Sequence, residues 1–345
     1  MKKYLLYLFI ISFLFSCRKE ISLDFPPIPE KLVVQGSIEP GFPPYVILTR
    51  NQGYFDPIDI NTYEDLFIKN AKVSVVREDG VIEELQYFEY EEYGFYTNVT
   101  ATLSLIADSS FQYDFSRVGE KYDLIIEWDS NIITSTTTIP YSTPLDSIWI
   151  EETEDINDNK YKCEINAKYT DPDSMGNNIL IRSKRVEHWN IVDTLTTPPT
   201  LSNEKDNSLL LVDCGPDVLI NGESFETYFP RPSEQGGFPS GSYRTFKYKK
   251  YQDTTTLGQD SILMPEDLVL IKFCQVDLAA MKFWRGVVRN STSGGNPFAE
   301  PMNLSSNING GLGSWTGYGT RYYLVPILKN TTITEEYYPN IFDIF

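Results

Sequence analysis

His188 is the only imidazole in this 345-residue chain. It lies in Arg185-Val186-Glu187-His188-Trp189 with no marked Ser or Asp partner, and no Gly-x-Ser-x-Gly elbow occurs, so a Ser-His-Asp hydrolase is not written here. One histidine also excludes zinc sites needing two or three histidines, and the facial iron triad. His188 is read as an ordinary strand residue. Carboxylates are abundant, but no Asp or Glu pair stands in a context that marks the paired acids of a glycosidase. Asp155-Ile156-Asn157-Asp158-Asn159 begins like a calcium loop, with oxygens at positions 1, 3 and 5. Lys160 replaces the glycine at position 6 and Asn166 the glutamate at position 12, so the EF-hand reading fails. An irregular calcium site drawn from this run, or from Asp171-Pro172-Asp173, stands as the alternative to a solvated turn.

Gly310-Gly311-Leu312-Gly313-Ser314-Trp315-Thr316-Gly317-Tyr318-Gly319 is glycine-rich but has neither dinucleotide spacing nor a Gly-Lys-Ser/Thr phosphate loop. Its glycines suit a tight backbone path beneath aromatic rings. The sharper alternative is a recognition loop presenting Trp315 and Tyr318 to a ligand. Arg244-Thr245-Phe246-Lys247-Tyr248-Lys249-Lys250-Tyr251 is the one basic-aromatic stretch. In a chain with 29 basic and 48 acidic side chains, net charge −19, it is read as a solvated strand face rather than a nucleic-acid site. No residue set is assigned to catalysis, a metal or a cofactor.

Four cysteines carry the remaining chemistry. Met1-Lys2-Lys3 is followed by an apolar run from Tyr4 to Phe15, the size of a signal-peptide hydrophobic region and too short to span a bilayer. Leu14-Phe15-Ser16-Cys17 resembles a bacterial lipoprotein box, with Phe15 departing from the small residues usual there. The expectation is that residues 1–16 are removed and that Cys17 is acylated, giving a long-lived anchor in outer-membrane lipid. Residues 17–30 form a tether in which Pro26-Pro27-Ile28-Pro29 enforces an extended spacer. Lys19-Glu20 after the cysteine tilts the expected orientation towards the cell surface over the periplasmic face. Loss of Lys2 and Lys3 brings the mature charge to −21. An exported compartment permits a Cys163–Cys214 disulfide, while three buried thiols at Cys163, Cys214 and Cys274 remain the other reading.

These residues must be positioned by short strands. Hydrophobic residues are 41% and aromatics 14% of the chain, with 21 Gly and 21 Pro, a composition for strands and turns. Between residues 31 and 142 the pattern is a β-sandwich. Leu32–Ile38, Tyr45–Arg50 and Lys72–Arg77 read as strands, and Asp79-Gly80 as a hairpin turn. Tyr122, Leu124, Ile126 and Trp128 alternate with Asp123 and Glu127, the period of a half-buried strand. No twelve-residue window in this block shows a convincing helical stripe, with Tyr63–Lys69 the one exception. Residues 143–345 read as a second β-rich domain with one or two helices; the best helix candidate is Val276–Val288, capped by Asp277, with Leu278, Met281, Arg285 and Val288 on one face.

Lys31-Leu32-Val33-Val34-Gln35-Gly36, Pro44-Tyr45-Val46-Ile47-Leu48-Thr49-Arg50, Tyr54-Phe55, Ala71-Lys72-Val73 and Thr138-Ile139-Pro140 follow Cys17 in order. Asn296-Pro297-Phe298-Ala299-Glu300-Pro301 and Ser306-Asn307-Ile308-Asn309-Gly310-Gly311-Leu312-Gly313 come near the end. Together they resemble a Bacteroidota family of outer-membrane-associated lipoproteins of unknown function. The resemblance implies an immunoglobulin- or transthyretin-like N-terminal domain, a second β-rich domain and a setting beside TonB-dependent receptors. It brings no catalytic residues. The expected function is a non-catalytic, lipid-anchored binding or accessory protein that works with such a receptor and takes an unknown ligand. A glycan-acting hydrolase and a structural envelope protein are the alternatives.

Overall fold

The computed structural model describes residues 29–51, 66–90, 93–152, 161–193, 200–229, 246–248, 254–257, 260–263, 267–293, 303–328 and 331–341. Cys17 and its tether to residue 28, the run 153–160 and the motif Asn296–Pro301 lie outside them, as does most of 244–251; of Cys163, His188 and Trp189 only the backbone is described.

The protein is mainly β, as its composition predicts. The first block contributes β1 (Leu32–Ile38), β2 (Tyr45–Arg50), β3 (Lys72–Arg77), β4 (Ile82–Tyr90), β5 (Tyr93–Thr97), β6 (Lys121–Trp128) and β7 (Asn131–Thr138). Alternation decides which face is buried. Tyr122, Leu124 and Ile126 are in the core, together with Val73 and Val75 on the neighbouring strand, while Asp123 and Glu127 point away. The β3–β4 turn is closed by Gly80 at φ 88°, and Asp79 binds Arg77 through both carboxylate oxygens, at 3.0 and 2.7 Å. That contact and the Val81 amide hold the Asp79 carboxyl at about 2, below its ordinary value.

Helix α1 (Val99–Ala107) interrupts this block at a place the pattern does not mark; the candidate Tyr63–Lys69 lies partly outside the described residues, and residues 66–69 are not helical. Its Val-Thr-Ala-Thr-Leu-Ser-Leu-Ile-Ala sequence is poor in charged helix formers. What starts it is Asn98, whose Oδ1 accepts from the Ala101 amide at 2.9 Å.

The chain then builds two further sheets. The first orders β11 (Thr200–Gly215), β10 (Asn178–Asp193), β16 (Leu268–Val276) and β18 (Gly319–Pro326). The second orders β12 (Ser224–Phe229), β9 (Tyr161–Thr170), β8 (Ser147–Glu152) and β19 (Thr332–Ile333), with β13 (Phe246–Tyr248) also on β9. A separate hairpin joins β14 (Thr254–Leu257) to β15 (Asp260–Leu263). Strand β16 is apolar almost throughout because both its faces are covered. Val269, Ile271 and Phe273 meet Ile148, Ile165 and Tyr169 of the second sheet, and Cys274 and Val276 meet helix α2 (Leu278–Ser293). Asp277 caps α2 as expected, its Oδ1 accepting from the Ala280 amide at 2.8 Å. The buried face is Ala280, Met281 and part of Trp284, whereas Leu278 is exposed.

One strand departs from chain order. β17 (Leu312–Gly317) leaves the C-terminal block and pairs in parallel with β1, Val33 opposite Leu312 through Ile38 opposite Gly317. The sheet then runs β17-β1-β2-β5-β4-β3-β6-β7. It is nearly closed into a barrel, because Thr134 of β7 bridges Asn309 just before β17 and Thr137 Oγ1 accepts from the Gly317 amide at 2.8 Å. Glycine makes this insertion possible. Gly313 has φ 101°, and a Cβ there would overlap the Val34 carbonyl oxygen.

No described helix is long and apolar enough to cross a membrane.

Candidate functional site

Two places gather polar and aromatic side chains, one open and one buried. The open one is a cleft of about 690 Å³ at the end of the first sheet where β2 and β6 finish and β3 and β7 begin. Lys72 and Glu127 are cross-strand partners on β3 and β6 and form an ion pair at 3.2 Å; Arg50 pairs with Glu30 at 3.2 Å. The guanidinium of Arg50 also lies 5.7 Å from the ring centre of the part-exposed Trp128. A two-residue turn, Asp129-Ser130, holds Trp128 opposite Asn131, and both turn residues have positive φ, 46° and 64°. Ile132, 70% exposed, stands on the rim.

Ser130 adopts a left-handed backbone conformation that disfavours residues with a Cβ. Ser130→Gly is therefore expected to raise stability by about 0.5–1 kcal/mol, measured by urea unfolding. A loss instead would mean that the serine side chain supports the turn.

The buried place lies where β16 and β18 meet the end of β1. Arg182, Lys272 and Tyr322 form one cross-strand row over β10, β16 and β18. Glu39, just after β1, reaches into it: its Oε1 meets Lys272 Nζ at 2.9 Å and its Oε2 accepts from the Tyr322 hydroxyl at 2.8 Å. Lys272 lies over the rings of Tyr318 and Tyr322, and Arg182 over those of Trp284 and Tyr318. Burial, and then Glu39, pushes the Tyr322 hydroxyl well above its ordinary value, so it stays a donor. Glu39 thus pairs with Lys272 in a buried space, with Arg182 beside Lys272 on the same row and held by the Tyr318 hydroxyl.

Trp315 and Tyr318 are placed inside the protein, not at its surface. Trp315 is fully buried in the first core, its indole donating to the Tyr122 carbonyl at 3.2 Å. Its backbone is held by Asn307, which donates to the Trp315 carbonyl at 2.7 Å and accepts from the Trp315 amide at 2.9 Å. Tyr318, 1% exposed, takes a hydrogen bond from Arg182 at 3.2 Å. The alternative of a recognition loop presenting Trp315 and Tyr318 is therefore corrected. A parallel strand lying between β1 and β7 must turn its large rings into the core, and the glycines provide the backbone approach.

The Cys163–Cys214 bridge is corrected as well. Cys214 is a free, buried thiol, as is Cys274. Both are cross-strand neighbours of Leu180, one on each side, so two strand spacings separate them. That is roughly 9–10 Å, beyond the reach of a disulfide. Burial pushes both thiols up to about 12, which keeps them protonated and unreactive.

What the sequence missed is the cleft around Trp128 and the role of Glu39. Trp128 was legible only as a strand residue, and the positive-φ turn beside it has no glycine to announce it.

Fold and site together define a mainly β protein of two interlocked parts, with an open polar cleft on the first and a sealed ionic cluster at the junction. The chain belongs to the family described as Domain of unknown function (DUF4249), whose model matches residues 18–322. No curated protein matches the sequence. Among solved structures it is similar to a DUF4785 family protein from Legionella pneumophila subsp. pneumophila str. Philadelphia 1, at 9% identity, with a TM-score of 0.18. That match covers 71% of this chain and 52% of the other, so the chain spans about half of that protein; a likeness this loose carries no argument.

Proposed function

We propose that this chain is a lipid-anchored, non-catalytic binding or accessory protein of the outer membrane that works beside a TonB-dependent receptor, with the Trp128 cleft as its ligand-facing surface. A Bacteroidota source, acylation of Cys17 and an immunoglobulin- or transthyretin-like kinship of the first domain belong to the same reading. They are supported by the Leu14–Cys17 box and the ordered motifs that follow it.

The observation that carries a binding role is the make-up of the cleft. An aromatic wall stands among cations and carboxylates that, among the described residues, pair with one another, and the side chains of Glu30 and Glu127 are each 53% exposed. Exposed pairs of this kind are worth about 0–1 kcal/mol, so a polar ligand replaces them at little cost. Their arrangement suits holding a ligand rather than transferring a proton.

Cys17→Ser is expected to shift the protein from the membrane to the soluble fraction. Mild detergent extraction of the wild type followed by affinity purification is expected to recover a β-barrel partner. Trp128→Ala should reduce that recovery at least tenfold while leaving the far-ultraviolet dichroism unchanged. A lipoprotein that extracts as a monomer with no stable partner overturns the accessory role. Hydrolysis of a polysaccharide, lost on mutating Glu30 or Glu127, would establish the hydrolase instead.

A further inference from the structure

Two loops at the end of the second part of the molecule bring together oxygen atoms that nothing satisfies. One loop follows β9 and leads into β10, residues Asp171 to Asn178. The other is the 3-10 turn Asp217–Leu219 and the residues to Gly222. Both Asp171 and Asp217 are buried, at 3% and 2% exposure.

Asp171 Oδ1 accepts from the Tyr169 hydroxyl at 2.8 Å and from Asn177 Nδ2 at 3.0 Å. Asp217 Oδ2 accepts from the Gly176 amide at 2.6 Å. The second oxygen of each carboxylate, Asp171 Oδ2 and Asp217 Oδ1, is buried without a hydrogen bond of good geometry, although the Gly222 amide lies close enough to the Asp171 carboxyl to stabilise its charge. The two carboxyls lie within hydrogen-bonding reach of each other, and no Lys or Arg among the described residues bridges either. Two asparagines repeat the pattern. Asn177 spends its Nδ2 on Asp171, and Asn221 donates its Nδ2 to Asp173 Oδ1 at 3.1 Å. That fixes each amide with its oxygen left over, and both Oδ1 atoms are buried without a donor.

A buried acceptor without a donor is costly, and two carboxylates in contact cannot both remain ionised without compensation. One remedy is a shared proton; the other is a cation. A shared proton serves only the Asp171–Asp217 pair and leaves both asparagine oxygens as they were. A cation held between the loops would relieve the carboxylate pair and give the asparagine oxygens of the same two loops a partner.

We propose that Asp171, Asp217, Asn177 and Asn221 bind a calcium ion between the two loops. An oxygen-only donor set selects a hard cation. Calcium accepts six to eight oxygens in irregular geometry, so four side-chain oxygens leave room for carbonyl or water ligands; magnesium demands a near-ideal octahedron that two irregular loops do not impose. The described residues bring no three His, Cys, Asp or Glu side chains into one metal group, so the charge comes from two carboxylates and the rest from neutral amides. That low charge count places the affinity at roughly 10⁻⁵–10⁻³ M. Asp173, exposed, serves instead to orient Asn221. The site is independent of the Trp128 cleft and of any anchor.

The test uses the full mature chain stripped with EGTA. Calcium titration is expected to raise Tm by about 2–6 °C, with magnesium giving no comparable shift. Terbium should bind and luminesce on tyrosine excitation, because Tyr169 is bonded to Asp171, and excess calcium should displace it. Asp217→Asn and Asp171→Asn should each weaken calcium binding at least tenfold. In EGTA both variants should melt at or above the wild-type temperature, since each relieves the carboxylate contact, which shows that they fold. The proposal is overturned if Tm is the same in calcium and EGTA and no terbium signal is displaced by calcium. Wild-type calcium affinity in both variants, or an equal response to magnesium, overturns it as well.

Discussion

Glu39→Ala is expected to destabilise the protein by about 3–5 kcal/mol, read as a fall in urea midpoint at unchanged slope. Among the described residues the carboxylate is the one anion in contact with Lys272, in a region where both side chains are almost fully buried, 2% and 5% exposed. Removing it leaves Lys272 beside Arg182 on the same cross-strand row with no compensating charge, and it strips the Tyr322 hydroxyl of its acceptor. The cost is that of an uncompensated buried charge, larger than the net worth of the pair itself. Glu39→Gln keeps the shape and one acceptor and should fall between alanine and wild type. The double change Glu39→Met with Lys272→Met should recover most of the loss, because a buried ion pair replaced by packed apolar chains of similar volume is often neutral. A loss below about 1 kcal/mol for Glu39→Ala would show that Lys272 finds another partner and that the junction is not held by this pair.

The pair also explains how two parts of the chain are registered against each other. Glu39 and Lys272 are 233 residues apart, one just past the end of β1 in the first sheet and the other on β16 of another. Apolar contacts join the same surfaces: Phe42 and Leu105 of the first part pack with Leu270, Tyr322 and Ile341 of the second. Apolar packing tolerates sliding, whereas a sealed carboxylate between a lysine and a tyrosine fixes one arrangement.

Local patterns carried the sequence reading where neighbours in sequence are neighbours in space. The alternation from Tyr122 to Trp128, the Asp79-Gly80 turn and the Asp277 cap of α2 all depend on contacts within a few residues. The reading failed where pairing is remote. Nothing near Leu312 says that it will lie beside Val33, and an exposed recognition loop and a buried parallel strand share the same glycines and aromatics. Helix α1 was hidden because four of its nine residues are β-branched and none is charged, leaving Asn98 as its one legible sign. The site residues were legible least. A carboxylate between cations and a carboxylate on the surface have the same letter, so Glu39 could not be told from the other acids. Asp171 could be named as a possible calcium residue, but its partners Asp217 and Asn221, more than forty positions on, could not.

Trp315→Ala is expected to cost about 3–5 kcal/mol, the range for removing a large aromatic side chain from a core. The indole fills the space that Gly36 leaves on the neighbouring strand: a Cβ on Gly36 would sit 2.6 Å from the Trp315 ring. Gly36 and Trp315 are register partners in the parallel pairing of β1 with β17, so small and large residues interlock across the seam. The ring also satisfies the Tyr122 carbonyl of β6, which ties β17 to the strands across the core as well as to its own neighbour. Alanine would remove that hydrogen bond and open a cavity between the sheet's first and last strands, where closure already depends on Thr134, Thr137 and Asn309. Gly36→Ala should destabilise in the same direction by overfilling the space that Trp315→Ala empties, and the double variant should be less destabilised than the two losses added together. Chemical unfolding of the four proteins measures this coupling. Strictly additive losses would mean that Gly36 and Trp315 do not interlock. Unchanged stability in Trp315→Ala with loss of partner recovery would return Trp315 to the surface as a recognition residue.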